Sequence, residues 1–157
     1  MNPRMAIHGS FRVLGVVSRV RRGSESAELF ARIWRAFESH KEKIEPLATE
    51  RAYVGVSFPT AEEAVTDYLA GMRVPAGAGA PEGLEARTIP EGEFAVFECP
   101  VEAIGETYRR IFAAWLPNAA VEFDATRPAF EEYRGDAPAE PVRLHIPVRQ
   151  RLVRGEG

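Results

Sequence analysis

The chain has one cysteine among its 157 residues, and this scarcity argues against a disulfide-stabilised protein of an oxidising compartment. Cys99 has no second cysteine to pair with, so an internal disulfide is excluded. No apolar run approaches the roughly 20 residues that a membrane-spanning helix needs. Residues 1–10 also have no apolar core of the kind that signal peptides carry. We therefore expect a cytoplasmic protein that does not enter a membrane.

The chain also has no excess of basic residues over acidic residues. The chain carries 20 Lys and Arg residues against 23 Asp and Glu residues, which gives a net charge of -3. Proteins that hold nucleic acid through its phosphates cluster Lys and Arg on one surface, so we expect no direct nucleic-acid binding. The charges are also too evenly balanced to favour an acidic surface that mimics DNA.

The motifs of metal and phosphate sites do not occur in the sequence. His8, His40 and His145 are scattered, and there is neither a Cys-x-x-Cys nor a His-Glu-x-x-His motif. The stretch Gly77-Ala78-Gly79 lacks the Gly-Lys-Ser/Thr sequence that completes a phosphate-binding loop. The sequence therefore predicts neither a metal site nor a cofactor.

What the sequence does contain, between residues 11 and 74, is a strand, a helix and two more strands. Ser24 or Ser26 can cap the helix, which we expect to end before Pro46. The predicted strands are 11–20, 51–58 and 64–74. The helix has Leu29, Ile33, Phe37 and Ile44 at helical spacing, and the last strand has Tyr68, Ala70, Met72 and Val74 on one face.

The same order of elements recurs after a linker. Residues 75–83 hold three Gly, three Ala and two Pro, a composition that sustains neither a helix nor a strand. The predicted second half, about 84–148, has a strand at 91–98, a helix at 101–116, and strands at 130–133 and 142–148. The apolar stripe of the second helix is Ile104, Tyr108, Ile111, Phe112 and Trp115.

This repeated order predicts the fold class. We expect one α+β domain over residues 1–157, built from two pseudo-symmetric strand-helix-strand-strand units. Their strands would form an antiparallel sheet with both helices on one face. The two halves would then leave a cleft where they meet, and ligand pockets favour such junctions.

A carboxylate in the second half is the candidate for chemistry. Glu131 lies between Phe130 and Tyr133 in a segment that reads as a strand, where Glu is disfavoured and aromatics are favoured. If Glu131 points inward, it must be neutral, hydrogen-bonded or matched by a cation. The aromatic residues of the chain are core residues by default, so a binding site needs several of them to converge on this polar group.

Nine short motifs, in this order and spacing, resemble the GyrI-like small-molecule-binding domain, which is also the effector-binding domain of AraC-type and MerR-type activators. The resemblance covers nearly the whole chain. The motifs are 33–37 (IWRAF), 53–56 (YVGV), 67–74 (DYLAGMRV), 81–85 (PEGLE), 89–97 (IPEGEFAVF), 108–112 (YRRIF), 115–117 (WLP), 127–133 (RPAFEEY) and 144–148 (LHIPV).

The resemblance implies a ligand cleft between the two halves and assigns residues to it. In multidrug-sensing relatives, a buried Glu of a Phe-Glu-x-Tyr motif meets the positive charge of lipophilic cations. That Glu corresponds to Glu131, with Tyr133 beside it, and it is preferred over Glu132. The further candidate aromatics of the cleft are Trp34, Tyr68, Phe97, Tyr108 and Trp115.

The resemblance leaves three functions open. Activators of this class carry a helix-turn-helix domain, but only about ten residues precede the first predicted strand, so we expect a stand-alone form that does not bind an operator. The first function is binding of amphipathic aromatic or cationic molecules, for sensing or sequestration. The second is hydrolysis of cyclopropane-bearing genotoxins, with Glu131 as the catalytic group. The third is modulation of DNA gyrase, which would then be a protein partner.

Overall fold

The structure is a computed structural model that describes residues 1–135 and 140–152, so residues 136–139 of the predicted second half lie outside the described part. Its strands are β1 (Arg4–His8), β2 (Phe11–Arg21), β3 (Tyr53–Pro59), β4 (Val65–Val74), β5 (Glu85–Ile89), β6 (Gly92–Cys99), β7 (Val121–Phe123), β8 (Ala129–Tyr133) and β9 (Val142–Gln150). The helices are α1 (Ala27–Ile44) and α2 (Ile104–Arg110), which a π-helical turn (Ile111–Trp115) extends. Short 3-10 turns lie at Glu45–Leu47, Val101–Ala103 and Leu116–Asn118.

The side chains of the predicted strands face the two sides of the sheet in the alternation that the sequence predicts. On β4 the four predicted residues lie in the core beneath α1, together with Ile33, Phe37 and Ile44 of the helix. On β6, Ala95 and Phe97 face the core beneath α2, whereas Phe94 and Val96 belong to a core on the other side of the sheet. The α+β prediction is therefore confirmed. No helix in the described residues is both long enough and apolar enough to cross a membrane.

Helix α1 begins at a serine cap and ends beside a proline. The Ser26 hydroxyl accepts a hydrogen bond of 3.0 Å from the Leu29 backbone N–H, which satisfies one of the free donors of the first turn. The helix stops at Ile44, because Pro46 cannot donate the hydrogen bond that would continue it. Both boundaries agree with the sequence prediction.

Replacing Ser26 with Ala is expected to lower the free energy of unfolding by about 1 kcal/mol, since the Leu29 N–H loses its acceptor. Denaturation with urea measures this change. Ser24→Ala is the matched control, because within the described residues Ser24 hydrogen-bonds only through its backbone N–H. Equal losses in the two variants would mean that Ser26 is not the cap.

The strands form one antiparallel sheet in the order β1-β6-β9-β8-β3-β4-β2-β5, with β7 paired to the end of β9. The two halves of the chain meet where β3 pairs with β8. Outward from this seam the order is β3, β4, β2 in the first half and β8, β9, β6 in the second. The halves thus have the same order of strands, while the structural pseudo-symmetry itself stays a prediction.

The sheet is strongly curled, because its first two strands lie far apart in the order but close along the chain. Five strands stand between β1 and β2, and only Gly9 and Ser10 join them. Two linking residues span at most about 10 Å, so the edge that ends in β1 must approach β2. The concave side is filled by the core that contains Val13, Val56 and Phe94. The helices pack on the opposite side.

Two sequence predictions need correction. The expected helix at 101–116 is divided into a 3-10 turn, α2 and a π-helical turn, and Phe112 of its predicted apolar stripe is 44% exposed. Ile111 is fully buried, and Phe112 lies about a quarter turn further round the helix, where it packs edge-on against Phe123 at the surface. The second correction is that β1, β5 and β7 were not predicted. All three are short, with three to five residues, and their sequences lack a clear apolar alternation.

Candidate functional site

Glu131 lies on β8 at the seam between the halves. Its neighbours in the sheet are Gly55 on β3, from the first half, and Leu144 on β9, from the second. Successive side chains of a strand point to opposite faces, so Glu131 and Tyr133 share the helix-covered face while Phe130 and Glu132 face the concave core. The seam therefore carries a carboxylate beneath the two helices.

Three tyrosine hydroxyls converge on this carboxylate. Tyr133 donates a hydrogen bond of 2.7 Å to Oε2, and Tyr68 donates one of 3.3 Å to the same oxygen. Tyr108 donates a hydrogen bond of 3.1 Å to Oε1. The donors come from β8, β4 and α2, so both halves of the chain contribute to the cluster, which we call the tyrosine cluster (Tyr68, Tyr108, Tyr133).

The other predicted site aromatics lie around this cluster rather than on the carboxylate. Trp34 of α1 packs edge-on against Tyr133, with 5.6 Å between the ring centroids. Phe97 and Trp115 pack edge-on against each other at 5.1 Å, within the core beneath α2 that Tyr108 and Tyr133 also contact. The structure thus brings Glu131, the tyrosine cluster and Trp34 together, and places Phe97 and Trp115 in the adjoining core.

Two further residues shape the site without having been predicted. The Phe30 ring packs edge-on against Tyr68 at 5.0 Å. Gly55 lies directly beneath the Tyr68 hydroxyl and Glu131, where a Cβ atom would overlap that hydroxyl. A glycine inside a strand often marks a close approach of another group, and this was the available signal for Gly55.

Burial and hydrogen bonding act on Glu131 in opposite directions. Burial raises the pKa of the Glu131 carboxyl above its ordinary value, while the hydroxyls of the tyrosine cluster oppose this shift by stabilising the ionised form. Burial, followed by the negative charge of Glu131, raises the pKa of all three tyrosines. The phenols therefore remain protonated and act as donors, which makes the site a carboxylate held by three neutral hydroxyl groups.

The neighbouring carboxylate has the opposite environment. Glu132 approaches Arg134 at 3.0 Å, His145 at 3.4 Å and Arg143 at 3.8 Å. Among the described residues, the structure gives Glu131 no ion pair with any of the cationic side chains. Of the two adjacent carboxylates, Glu131 is thus the one without a cationic partner in the part of the chain that the structure describes.

Glu131 is half-buried, with the half-buried rings of Tyr108 and Tyr133 beside it. Two surface depressions, of about 420 and 370 Å³, lie elsewhere on the molecule. The first is lined by residues such as Arg12, Thr49 and Arg73, and the second by residues such as Arg19 and Leu29. A molecule that reaches Glu131 would contact the hydroxyl groups of the tyrosine cluster.

The fold and the seam site define a GyrI-like effector-binding domain. The sequence model of the integron-associated effector binding proteins, the Cass2 family, matches residues 9–148. The chain belongs to this family. No curated protein sequence matches the chain.

Solved structures share the fold at low sequence identity. SAV2435 bound to tetraphenylphosphonium is 14% identical, with a TM-score of 0.78 over 95% of this chain and 94% of that one. An integron cassette protein from Vibrio cholerae is 16% identical, with a TM-score of 0.68 over 94% and 96%. EcmrR in a complex with DNA is 13% identical, with a TM-score of 0.65 over 96% of this chain and 58% of that chain. At these identities the likeness establishes the fold.

Proposed function

We propose that the protein binds amphipathic organic cations that carry aromatic groups, at the seam over Glu131. The observation that supports this proposal is a carboxylate held by three phenols and lacking an ion pair within the described residues. A ligand cation would supply the missing positive charge. SAV2435, which shares the fold, was solved with tetraphenylphosphonium, a cation of this class.

The aromatic residues suit the apolar part of such a ligand. Tyrosine and tryptophan rings attract cations through their electron-rich faces, and they bury apolar surface at the same time. Tyr68, Tyr108 and Tyr133 direct their hydroxyls at Glu131, and Trp34 packs edge-on against Tyr133, so four aromatic rings lie around the carboxylate. We propose that they line the binding cleft, with Phe97 and Trp115 supporting its wall from the core.

A wall that moves would enlarge the site for a bulky ligand, and α2 is the element best suited to that role. Tyr68 lies on β4 and Tyr133 on β8, and each of these strands is hydrogen-bonded to a neighbouring strand on both sides. Tyr108 lies instead on a helix of seven residues. The helix runs into a π-helical turn, a feature that occurs frequently at functional sites. We propose that α2 moves Tyr108 off Oε1 when a cation enters.

A pair of probes with equal shape and opposite charge tests the proposal. Tetraphenylphosphonium should bind and change the tryptophan fluorescence, because Trp34 contacts Tyr133. Tetraphenylborate should bind at least about tenfold more weakly, since its negative charge faces the Glu131 carboxylate. Equal affinities would contradict the role of charge, and no binding of tetraphenylphosphonium would contradict the proposal as a whole. Sensing, sequestration, hydrolysis, gyrase modulation and a cytoplasmic location stay predictions from the sequence.

A further inference from the structure

A second polar cluster lies on the concave face of the sheet, away from the seam site. His145 Nε2 lies 3.4 Å from Glu132 Oε1, and His145 Nδ1 lies 3.1 Å from His8 Nε2. The three side chains come from β8, β9 and β1, so the contacts link three strands and pass over β6, which lies between β9 and β1. We call it the histidine chain (Glu132, His145, His8). His145 is only 3% exposed, whereas His8 is partly exposed.

Aromatic rings enclose the histidine chain. His145 stacks on Phe130, with 4.1 Å between centroids and an angle of 8° between planes. Phe94 packs against His8 at 5.1 Å and against Phe130 at 5.4 Å. An imidazolium in such surroundings is costly unless a carboxylate or a hydrogen-bond acceptor compensates it.

Among the described residues, Glu132 is the carboxylate that contacts the histidine chain and can compensate the positive charge of an imidazolium. Its hydrogen bond to His145 is the first of the causes that lower the pKa of Glu132 to about 2, so Glu132 is ionised throughout the neutral and mildly acidic range. The other charged groups that face the histidine chain from neighbouring elements are Arg4 (β1), Arg73 (β4), Arg134 (after β8), Arg143 (β9) and Arg127. Arg127 stacks on Phe94 and is paired with Asp124. Glu132 shares its charge between the histidine chain, Arg134 and Arg143, so it compensates a second added proton poorly.

The pair of imidazoles can take up one proton and keep the hydrogen bonds of the histidine chain. When both imidazoles of the histidine chain are neutral, His145 Nε2–H donates to Glu132, and His145 Nδ1 accepts from His8 Nε2–H. When one proton is added to the pair of imidazoles, one ring still offers an acceptor nitrogen to the other, so the hydrogen bond between them persists. A second proton makes both imidazoles donors, so two cations face each other across 3.1 Å with no acceptor between them.

Strand β1 depends on this contact because little else holds its side chains. It has five residues, lies at the edge of the sheet and pairs only with β6. Met5 is 45% exposed and Ile7 is 81% exposed, so apolar burial contributes little to its attachment. His8 is the polar side chain that ties β1 to the centre of the sheet, beside Ala6, which packs against the concave core.

We propose that the histidine chain fastens β1 to the sheet and releases it when both imidazoles become protonated. Burial is the first cause that lowers the pKa of His8 below 6.5, followed by the charge of His145. A histidine whose pKa is lowered in the folded state contributes stability above its unfolded pKa and loses it as the pH falls through the lowered value. Release is therefore expected in mildly acidic solution, below pH 6.5 and above the pKa of Glu132.

Hydrogen exchange of the β1 amides, measured from about pH 7.5 to about pH 4.5 and corrected for intrinsic rates, tests the proposal. In the wild type, protection of β1 should fall by about tenfold per pH unit once the second proton binds, while β3 stays protected. His8→Phe keeps a ring against Phe94 and Phe130 but cannot take up a proton, so its β1 protection should be independent of pH. His8→Gln, at the same partly exposed position, should give the same pH independence.

His40→Gln is the matched control, because it removes the one remaining histidine of the chain. This variant should respond to pH as the wild type does. A pH-independent β1 in the wild type would overturn the proposal, and so would an unchanged pH response in both His8 variants. The imidazole NMR signals give a second readout: His8 should titrate below 6.5 in the wild type and move upward in His145→Gln.

Discussion

Replacing Glu131 with Gln is expected to weaken the binding of tetraphenylphosphonium about thirtyfold, since removing one member of a desolvated charge pair costs about 2 kcal/mol or more. Gln keeps the size of the side chain and one acceptor oxygen for the tyrosine cluster, but it carries no charge. Calorimetric titration of the two proteins measures the ratio of affinities. An unchanged affinity would contradict the proposed role of Glu131.

The same substitution should leave the fold nearly unaffected. Burial raises the pKa of Glu131, so this carboxyl costs folding free energy as the pH rises through the raised pKa. Gln removes that cost while it loses part of the hydrogen bonding, and we expect the free energy of unfolding to change by no more than about 1 kcal/mol. Cation affinity in the wild type should fall as the pH falls through the pKa of Glu131, whereas affinity in the Gln variant should not.

Glu132→Gln provides a control on the adjacent residue of the same strand. Glu132 faces the concave core and is paired with Arg134, Arg143 and His145, so its loss should not alter cation affinity. Its pKa is lowered to about 2, and the stability that it contributes is present above about pH 4.5 and lost as the pH falls toward 2. We therefore expect the two variants to separate affinity from stability. Similar losses of affinity in both would argue for a general disturbance of β8.

The elements of the fold could be predicted from local patterns, whereas their arrangement could not. Helix α1 buries one face, which writes a helical stripe into the sequence, whereas β2, β4 and β6 bury residues of both faces, which writes short apolar runs. Strand β1 has no such pattern. Its place at the far edge of the sheet depends on pairing with β6, about 90 residues further along the chain, and on the curl that brings it back to β2.

The site shows the same division between local and distant information. Glu131 and Tyr133 lie in one short motif, and their common face follows from the period of a strand. Tyr68 reaches the same carboxylate because β3 and β8 pair at the seam, and Tyr108 reaches it because α2 packs on the core of the second half. Core packing and site lining use the same residue types at the same spacing, so the sequence could not separate Trp115 from the residues that contact Glu131.

The register at the seam makes Gly55 the position where a single methyl group should have a large effect. Gly55 pairs with Glu131 on one side and with Ala70 on the other. In Gly55→Ala the new Cβ would overlap the Tyr68 hydroxyl and lie 3.0 Å from Glu131 Oε2. The Tyr68 ring is 3% exposed and packs against Phe30, so it cannot swing into solvent.

We expect Gly55→Ala to lower the free energy of unfolding by about 1–3 kcal/mol, the usual cost of overpacking a buried site. The Tyr68 hydroxyl should leave Glu131, and tetraphenylphosphonium affinity should fall by about tenfold as the shape of the cleft changes. Thermal or urea denaturation and the titration described above measure the two effects. Gly105→Ala is the matched control: its Cβ meets nothing within 4 Å, and it should raise helix stability by about 0.5–1 kcal/mol.

A double variant tests whether the overlap itself is the cause. Tyr68→Phe removes the hydroxyl that the new methyl group would meet, and it leaves the ring carbon Cζ at 2.8 Å from that methyl position. Gly55→Ala combined with Tyr68→Phe should therefore be more stable than Gly55→Ala alone, although not as stable as the wild type. Strictly additive losses would contradict the steric explanation, because two substitutions that relieve one overlap must couple. Recovery of stability without recovery of cation affinity is the expected pattern, since the carboxylate then lacks one of its three hydroxyl donors.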